Sequence, residues 1–187
     1  MFTVNRSKNN PLISPVHNQS WEEVSTCNGC PIIDPRKNGT GDGSIFCLYR
    51  AIAPPDKMSP AHDLTLSTIG ATFSSDGISG EHFSNHIHFI KPEMEWEKYG
   101  CEDPRITFFE GKYYTFYTAL SNYPLTSDGI KVALAIHETL PTPENNSKNH
   151  IGHCEKHLVT PFNAKAMALF PERINGKVAV ILTANTD

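Results

Sequence analysis

The chain has 187 residues, 19 % of them charged, and a formal net charge of −4. That length accommodates one domain with a sizeable core. The mildly acidic balance, without a basic stripe, argues against nucleic acid or an anionic membrane as partner, and no apolar run approaches the roughly 18 residues of a membrane span.

The N-terminal MFTVNRSKNN lacks the apolar core of a secretory signal. Five cysteines, an odd and scattered set, read as free thiols of a reducing compartment, so a cytoplasmic location is expected. Fourteen prolines, twelve glycines and short aromatic bursts without long 3.6-residue periodicity predict an all-β chain rich in turns.

In chain order, GSIFCLYRA (43–51) is the first clear strand, introduced by Asp42-Gly43. LTLSTIGATFSSDGI (64–78) reads as a strand running into a turn, and HFSNHIHFI (82–90) partly alternates as a half-buried strand should. RITFF then leads through Glu110-Gly111 into GKYYTFYTA (111–119). IKVALAIHETL (130–140) is a buried strand or a short helix, and TPENNSKNHIGH (142–153) is a polar loop. ALFPERI reads as a further strand, followed by Asn175-Gly176 and GKVAVILTA (176–184).

Three of these segments align without gaps: GSIFCLYRA, GKYYTFYTA and GKVAVILTA. Each opens on glycine after a polar turn residue and closes on alanine. The spacing of about 65 to 68 residues suits a four-stranded sheet with its loops, and radial repetition of such sheets makes a β-propeller. Three ordinary hairpins in a β-sandwich would give the same segments. Asp187 falls within the third unit, so the expectation is a single incomplete propeller domain over 1–187, truncated in its third blade, with an open edge that a partner such as a second copy could cover.

GCEDPR (100–105) places Glu102 and Asp103 before the aromatic strand. Pro104 biases Asp103 toward extended backbone, and in an extended segment the two acids point to opposite faces. On that reading one carboxylate is presented and the other braces the loop. An Asp103–Arg105 ion pair holding a turn is the plainer alternative.

The segment GCEDPRITFFEGKYYTFYTA resembles glycoside hydrolase family 130, the β-mannoside phosphorylases and β-mannosidases. NPLISP (10–15) with Trp21, FCLYRA (46–51, similar to the family's first inner strand), SSDGI (74–78, a blade turn) and FNAKAMALFPERINGK (162–177) extend the resemblance through most of the chain. It implies a five-bladed β-propeller, of which this chain holds roughly the first half, and cleavage of β-mannosides with inversion, by phosphorolysis or hydrolysis. Asp103 matches the catalytic aspartate, the general acid; in the family's phosphorylases its proton passes through a sugar hydroxyl while phosphate attacks. Asn28 and Arg50 match sugar-contacting residues, and Arg50 stands where the other copies carry Thr118 and Thr183. Glu102, Arg105 and Tyr123 complete the expected substrate site, with Lys165 as the phosphate-binding cation and Arg173 paired with Glu172. The family's His-Arg pair after the third repeat strand is replaced by the Thr183-Ala184-Asn185 stretch, which weakens the case for phosphate over water. The implied substrate is an oligosaccharide, with no cofactor beyond inorganic phosphate as co-substrate.

Two other classes compete. A non-catalytic sugar-binding propeller, or an inactive fragment, would carry the same strands. A zinc-stapled module would use Cys27 and Cys30 with His150, His153, Cys154 and His157, although HxxHC is no standard zinc spacing and no metal ligand set is assigned. The histidines of HFSNHIH read as partly buried strand residues.

Overall fold

Glu110-Gly111 and Asn175-Gly176 both close two-residue turns, as their composition predicts. Phe109 pairs with Lys112 and Ile174 with Lys177 across them. Both central residues of each turn have positive φ, 46° and 88° in the first and 50° and 76° in the second. That is the turn whose twist matches a hairpin, and it favours glycine at its second position. The computed structural model describes residues 3, 8–35, 45–74, 83, 85–141 and 154–184. Asp42-Gly43, most of SSDGI and the 142–153 loop lie outside them.

The described strands form three antiparallel sheets in chain order. The first contains β1 (Ser25–Ile33), β2 (Ile45–Ile52), β3 (Ser67–Ser74) and β4 (Ile87–Ile90), each paired with its neighbour. The second repeats the arrangement with β5 (Cys101–Phe109), β6 (Lys112–Leu120), β7 (Ile130–His137) and β8 (Glu155–Leu158). The third holds β9 (Ala164–Leu169) and β10 (Val180–Ala184). Among the described residues one short α-helix, α1 (Pro55–Met58), follows β2. The chain is all-β with the same β-meander built twice and begun a third time.

The aligned sequence segments are β2, β6 and β10, the second strand of each sheet. FCLYRA lies in β2, with β1 before it in the sheet. The ambiguous IKVALAIHETL is a strand to His137, because its small and β-branched residues lie between β6 and β8. Among the described residues of HFSNHIHFI, Ile87–Ile90 is strand. ALFPERI is strand only at Ala168 and Leu169; the chain then bends at Phe170–Glu172. Arg173 does not pair with Glu172. Its Nε and Nη2 grip the Glu110 carboxylate at 2.7 and 3.1 Å, tying the second hairpin turn to the third.

The main core lies between the first two sheets, where Phe46, Leu48, Ile69, Phe89 and Ile90 meet Ile106, Tyr113 and Tyr117. A second core joins Phe109, Phe116 and Val132 to Ala164, Met167 and Leu169 of β9. Successive sheets thus pack face to face. Gly70 is needed in β3 because the Tyr49 ring lies across it: a Cβ there would fall 2.4 Å from the ring.

A buried acid braces each four-stranded sheet, and the two braces are alike. Tyr49 of β2 donates to Glu22 at 2.7 Å, and Tyr117 of β6 donates to Glu97 at 2.7 Å. Both carboxylates are fully buried. Each has a basic partner from the fourth-strand side: His86 Nδ1 lies 2.8 Å from Glu22, and Lys156 Nζ lies 2.7 Å from Glu97. Paired and hydrogen-bonded in this way, a buried carboxylate is tolerated. His86 is thus a core residue, and His88 stacks on Trp21 at 4.7 Å.

Candidate active site

The first strand of every sheet carries one extra residue at the same place. In β1, Cys27 pairs with Arg50 and Cys30 with Leu48; in β5, Glu102 pairs with Thr118 and Arg105 with Phe116; in β9, Lys165 pairs with Thr183 and Ala168 with Ile181. Each time three steps on the first strand oppose two on the second, which is a β-bulge. The residue after the first pair is left-handed in all three: Asn28 at φ 53°, Asp103 at 52° and Ala166 at 54°. Asparagine and aspartate enter that region more readily than most residues.

This corrects the expectation for Asp103. Pro104 does not hold it extended, because the bulge overrides the local bias. Glu102 and Asp103 consequently do not diverge. Arg50 Nη2 lies 2.5 Å from Glu102 Oε1 and Nη1 lies 3.7 Å from Asp103 Oδ1, so one guanidinium spans both acids. Asn28 Nδ2 donates to Asp103 Oδ1 at 2.5 Å. Arg105, the alternative partner, donates instead to the Pro104 carbonyl at 2.8 Å.

The cluster is sheltered without being closed. Side-chain exposure is 24 % for Arg50, 17 % for Glu102 and 28 % for Asp103, so a ligand has access to all three. Burial pushes the Glu102 carboxyl above the ordinary carboxylate value; Arg50 opposes that shift, Asp103 adds to it, and Ser67 and Lys165 pull it back. Lys165 is exposed and stands at the β9 position equivalent to Glu102. Cys27 holds that position in β1; burial raises its thiol pKa, with Arg50 acting against the shift.

Asn28, Arg50, Glu102 and Asp103 therefore form one contact cluster, with Lys165 in electrostatic reach. Tyr123 is not part of this contact cluster; in the loop after β6 it stacks on Tyr99 at 6.1 Å, and Asp63 in the loop after β2 raises its hydroxyl pKa. Of the residues weighed for zinc, His150 and His153 lie outside the described residues, and Cys30 Sγ accepts from the Ile106 N–H at 3.5 Å. Among the described residues no group of three or more His, Cys, Asp or Glu could hold a metal ion.

Sequence reading missed Ser67, Glu22 and Glu97. A signal for the two glutamates is present: Trp21-Glu22 and Trp96-Glu97 each stand six residues before a bulge residue, Asn28 and Asp103. Ser67 carries no comparable signal, since nothing in STIGATFS separates it from the other small residues of β3.

The three sheets define an all-β chain built on a repeated β-meander. A family model described as beta-1,4-mannooligosaccharide phosphorylase matches residues 60–185, and the chain belongs to that family, glycoside hydrolase family 130. Two relatives from Thermoanaerobacter sp. (strain X514) extend the match. A "Beta-1,2-mannobiose phosphorylase" is 29 % identical over 95 % of this chain, and a "1,2-beta-oligomannan phosphorylase" is 30 % identical over 97 %. The chain spans about half the length of these relatives, 53 % of each. Its fold is similar to part of the beta-1,2-mannobiose phosphorylase of Listeria innocua, solved with beta-1,2-mannobiose (TM-score 0.70, 19 % identity, 97 % of this chain and 58 % of that one). A Bacteroides ovatus glycosyl hydrolase shares it too (TM-score 0.65, 21 % identity, 95 % of this chain and 52 % of that one).

Proposed function

We propose that this chain carries the acid side of a β-mannoside-cleaving site, with Asp103 as the general acid. The observation behind this reading is the pair of facing bulges, which sets Asp103 between Asn28 and Arg50 on a partly open surface. Glycoside cleavage needs a proton for the leaving oxygen and a nucleophile on the opposite face of the ring. Asp103 supplies the proton, directly or through a sugar hydroxyl. Asn28 and Arg50 hydrogen-bond sugar hydroxyls; the planar guanidinium suits two adjacent oxygens. Glu102 holds Arg50 in place and accepts from the sugar, while Arg105 and the Tyr99–Tyr123 stack flank the site. Lys165 is the cation that favours an incoming anion, so phosphate is the proposed nucleophile, in keeping with the names of the curated relatives.

The three sheets are read as successive blades of a five-bladed propeller, as in the family's structures. The β-1,2 linkage is the first substrate to try, because both Thermoanaerobacter relatives are named for it. The test is incubation of the full-length protein with β-1,2- and β-1,4-mannobiose, with and without phosphate. Mannose 1-phosphate formed only with phosphate supports phosphorolysis. Mannose alone, released equally without phosphate, replaces it with hydrolysis. Binding of manno-oligosaccharides without turnover would leave a sugar-binding protein and sink the catalytic reading.

A further inference from the structure

We infer that Ser67 is a positioning residue for this cluster: its buried hydroxyl bridges Arg50 and Glu102 and thereby sets how Arg50 presents its fork to Asp103 and the sugar. The inference rests on the proposed function for its kinetic consequence, but not for its geometry.

Ser67 opens β3 and is 2 % exposed. Arg50 Nε donates to Ser67 Oγ at 3.0 Å, and the same side chain pulls the Glu102 carboxyl pKa down against burial. A guanidinium only donates and an ionised carboxylate only accepts, whereas a hydroxyl does both. With Oγ accepting from Arg50, the Ser67 O–H is left to serve Glu102, whose carboxylate Arg50 Nη2 holds at 2.5 Å. The inferred bridge joins side chains from β2, β3 and β5.

Without the bridge, Arg50 would be held by its terminal nitrogens alone. Its Nη1, which faces Asp103 at 3.7 Å, could then close on that carboxylate and mask it. With Nε tied to Ser67 and Nη2 to Glu102, the guanidinium plane is fixed and Asp103 keeps Asn28 as its short contact. Serine is also specific to this copy of the repeat. Ser67 pairs with Ile52 in the first sheet; the corresponding pair in the second is Ile130 with Leu120, where Thr118 replaces Arg50. The hydroxyl occurs in the copy that holds the arginine, and an aliphatic residue in the copy that does not.

The experiment compares wild type, Ser67→Ala and Ser67→Thr as full-length proteins. It reads the Glu102 titration by carboxyl 13C NMR, and kcat and KM on β-mannobiose with phosphate. Ser67→Ala should move the Glu102 midpoint upward and lower kcat/KM by about tenfold or more, the usual worth of a hydrogen bond to a charged group. Ser67→Thr, which keeps the hydroxyl, should restore both toward wild type. A Glu102 midpoint unmoved in Ser67→Ala, with kcat/KM within twofold, overturns the inference. If the wild type cleaves nothing, the proposed function fails while the titration still decides the bridge. Should the alanine variant not fold, wild type alone suffices: the Arg50 Nε–H must exchange slowly with solvent, and free exchange at the rate of an exposed arginine overturns the bridge.

Discussion

Asn28 and Asp103 are 75 positions apart, occupy the same bulge in two successive sheets with φ of 53° and 52°, and meet at 2.5 Å. A repeated backbone irregularity has thus been turned into a side-chain pair. The shared conformation aims both residues at one point, and their chemistry makes one a donor and the other an acceptor.

Asp103→Asn tests the acid with little disturbance. Asparagine tolerates the left-handed region and its carbonyl can still accept from Asn28. The expected result is an unchanged melting temperature and a kcat lowered about 10²- to 10⁴-fold, the usual contribution of a general acid. Steady-state kinetics on β-mannobiose checks it; a wild-type rate would remove Asp103 from the mechanism.

Arg50→Thr installs the residue found in the other two copies. It leaves Glu102 and Asp103 without their shared cation, and the expected loss at pH 7 is about 1–2 kcal/mol, modest because both acids are partly solvated. The loss depends on pH in a definite direction. With Arg50 gone, nothing comparable opposes burial, and the Glu102 pKa rises further above its ordinary 4.5. A carboxyl raised on folding contributes stability below its unfolded pKa and loses it as pH climbs through the folded value. The variant should therefore approach wild-type stability near pH 4 and fall behind toward neutrality, as urea titrations across that range would reveal.

Ala166 is left-handed where the other bulges use asparagine and aspartate. It is exposed, so the cost is conformational. Ala166→Asn or Ala166→Gly should stabilise the fold by about 0.4–1 kcal/mol. A melting temperature unchanged or lowered in both variants would mean that the bulge in β9 is not strained.

His137 and His88 are buried, and burial lowers the pKa of each from 6.5 to about 4. A pKa depressed on folding contributes stability that is present above about pH 6.5 and is lost as pH falls through 4. His137 stacks on Phe89 at 4.7 Å, so His137→Phe keeps the aromatic contact and removes the titration. The variant should retain about 2–3 kcal/mol more of its neutral-pH stability at pH 4 than wild type does. Parallel acid-unfolding curves for the two proteins would contradict this.

Tyr117→Phe removes the donor to Glu97 inside the second sheet. Glu97 keeps Lys156, so the expected loss is about 1.5–3 kcal/mol, the range for a hydrogen bond to a charged group. Tyr49→Phe should cost a similar amount in the first sheet. Chemical denaturation of both variants checks whether the two braces are equivalent in energy as well as in form.

Much of this fold was legible because its signals are local. Asn-Gly and Glu-Gly turns, glycine-to-alanine strands and their spacing survive in the chain as words that can be read without partners. The bulges left no such word. Asn28-Gly29, Asp103-Pro104 and Ala166-Met167 share no residue type, and the common feature is a register that exists only once two strands pair. That is why the local sequence points to an extended Asp103 with Glu102 turned away from it. Arg173 failed for a related reason: its partner, Glu110, is distant in sequence and adjacent only when two hairpin turns meet. Trp21-Glu22 and Trp96-Glu97 are the reverse case, a legible pair whose meaning depended on knowing where the bulges fall.

The extra residue in each first strand also works as a phase slip. Side chains alternate between two faces along a strand, and one inserted residue reverses that parity from there on. Cys101 and Ile106, an odd number of steps apart, both point into the core because the slip lies between them. Deleting Asp103 would therefore do more than remove an acid. It would restore an unbroken alternation and turn one half of β5 inside out, so a length change of one residue there should be far less tolerated than any substitution.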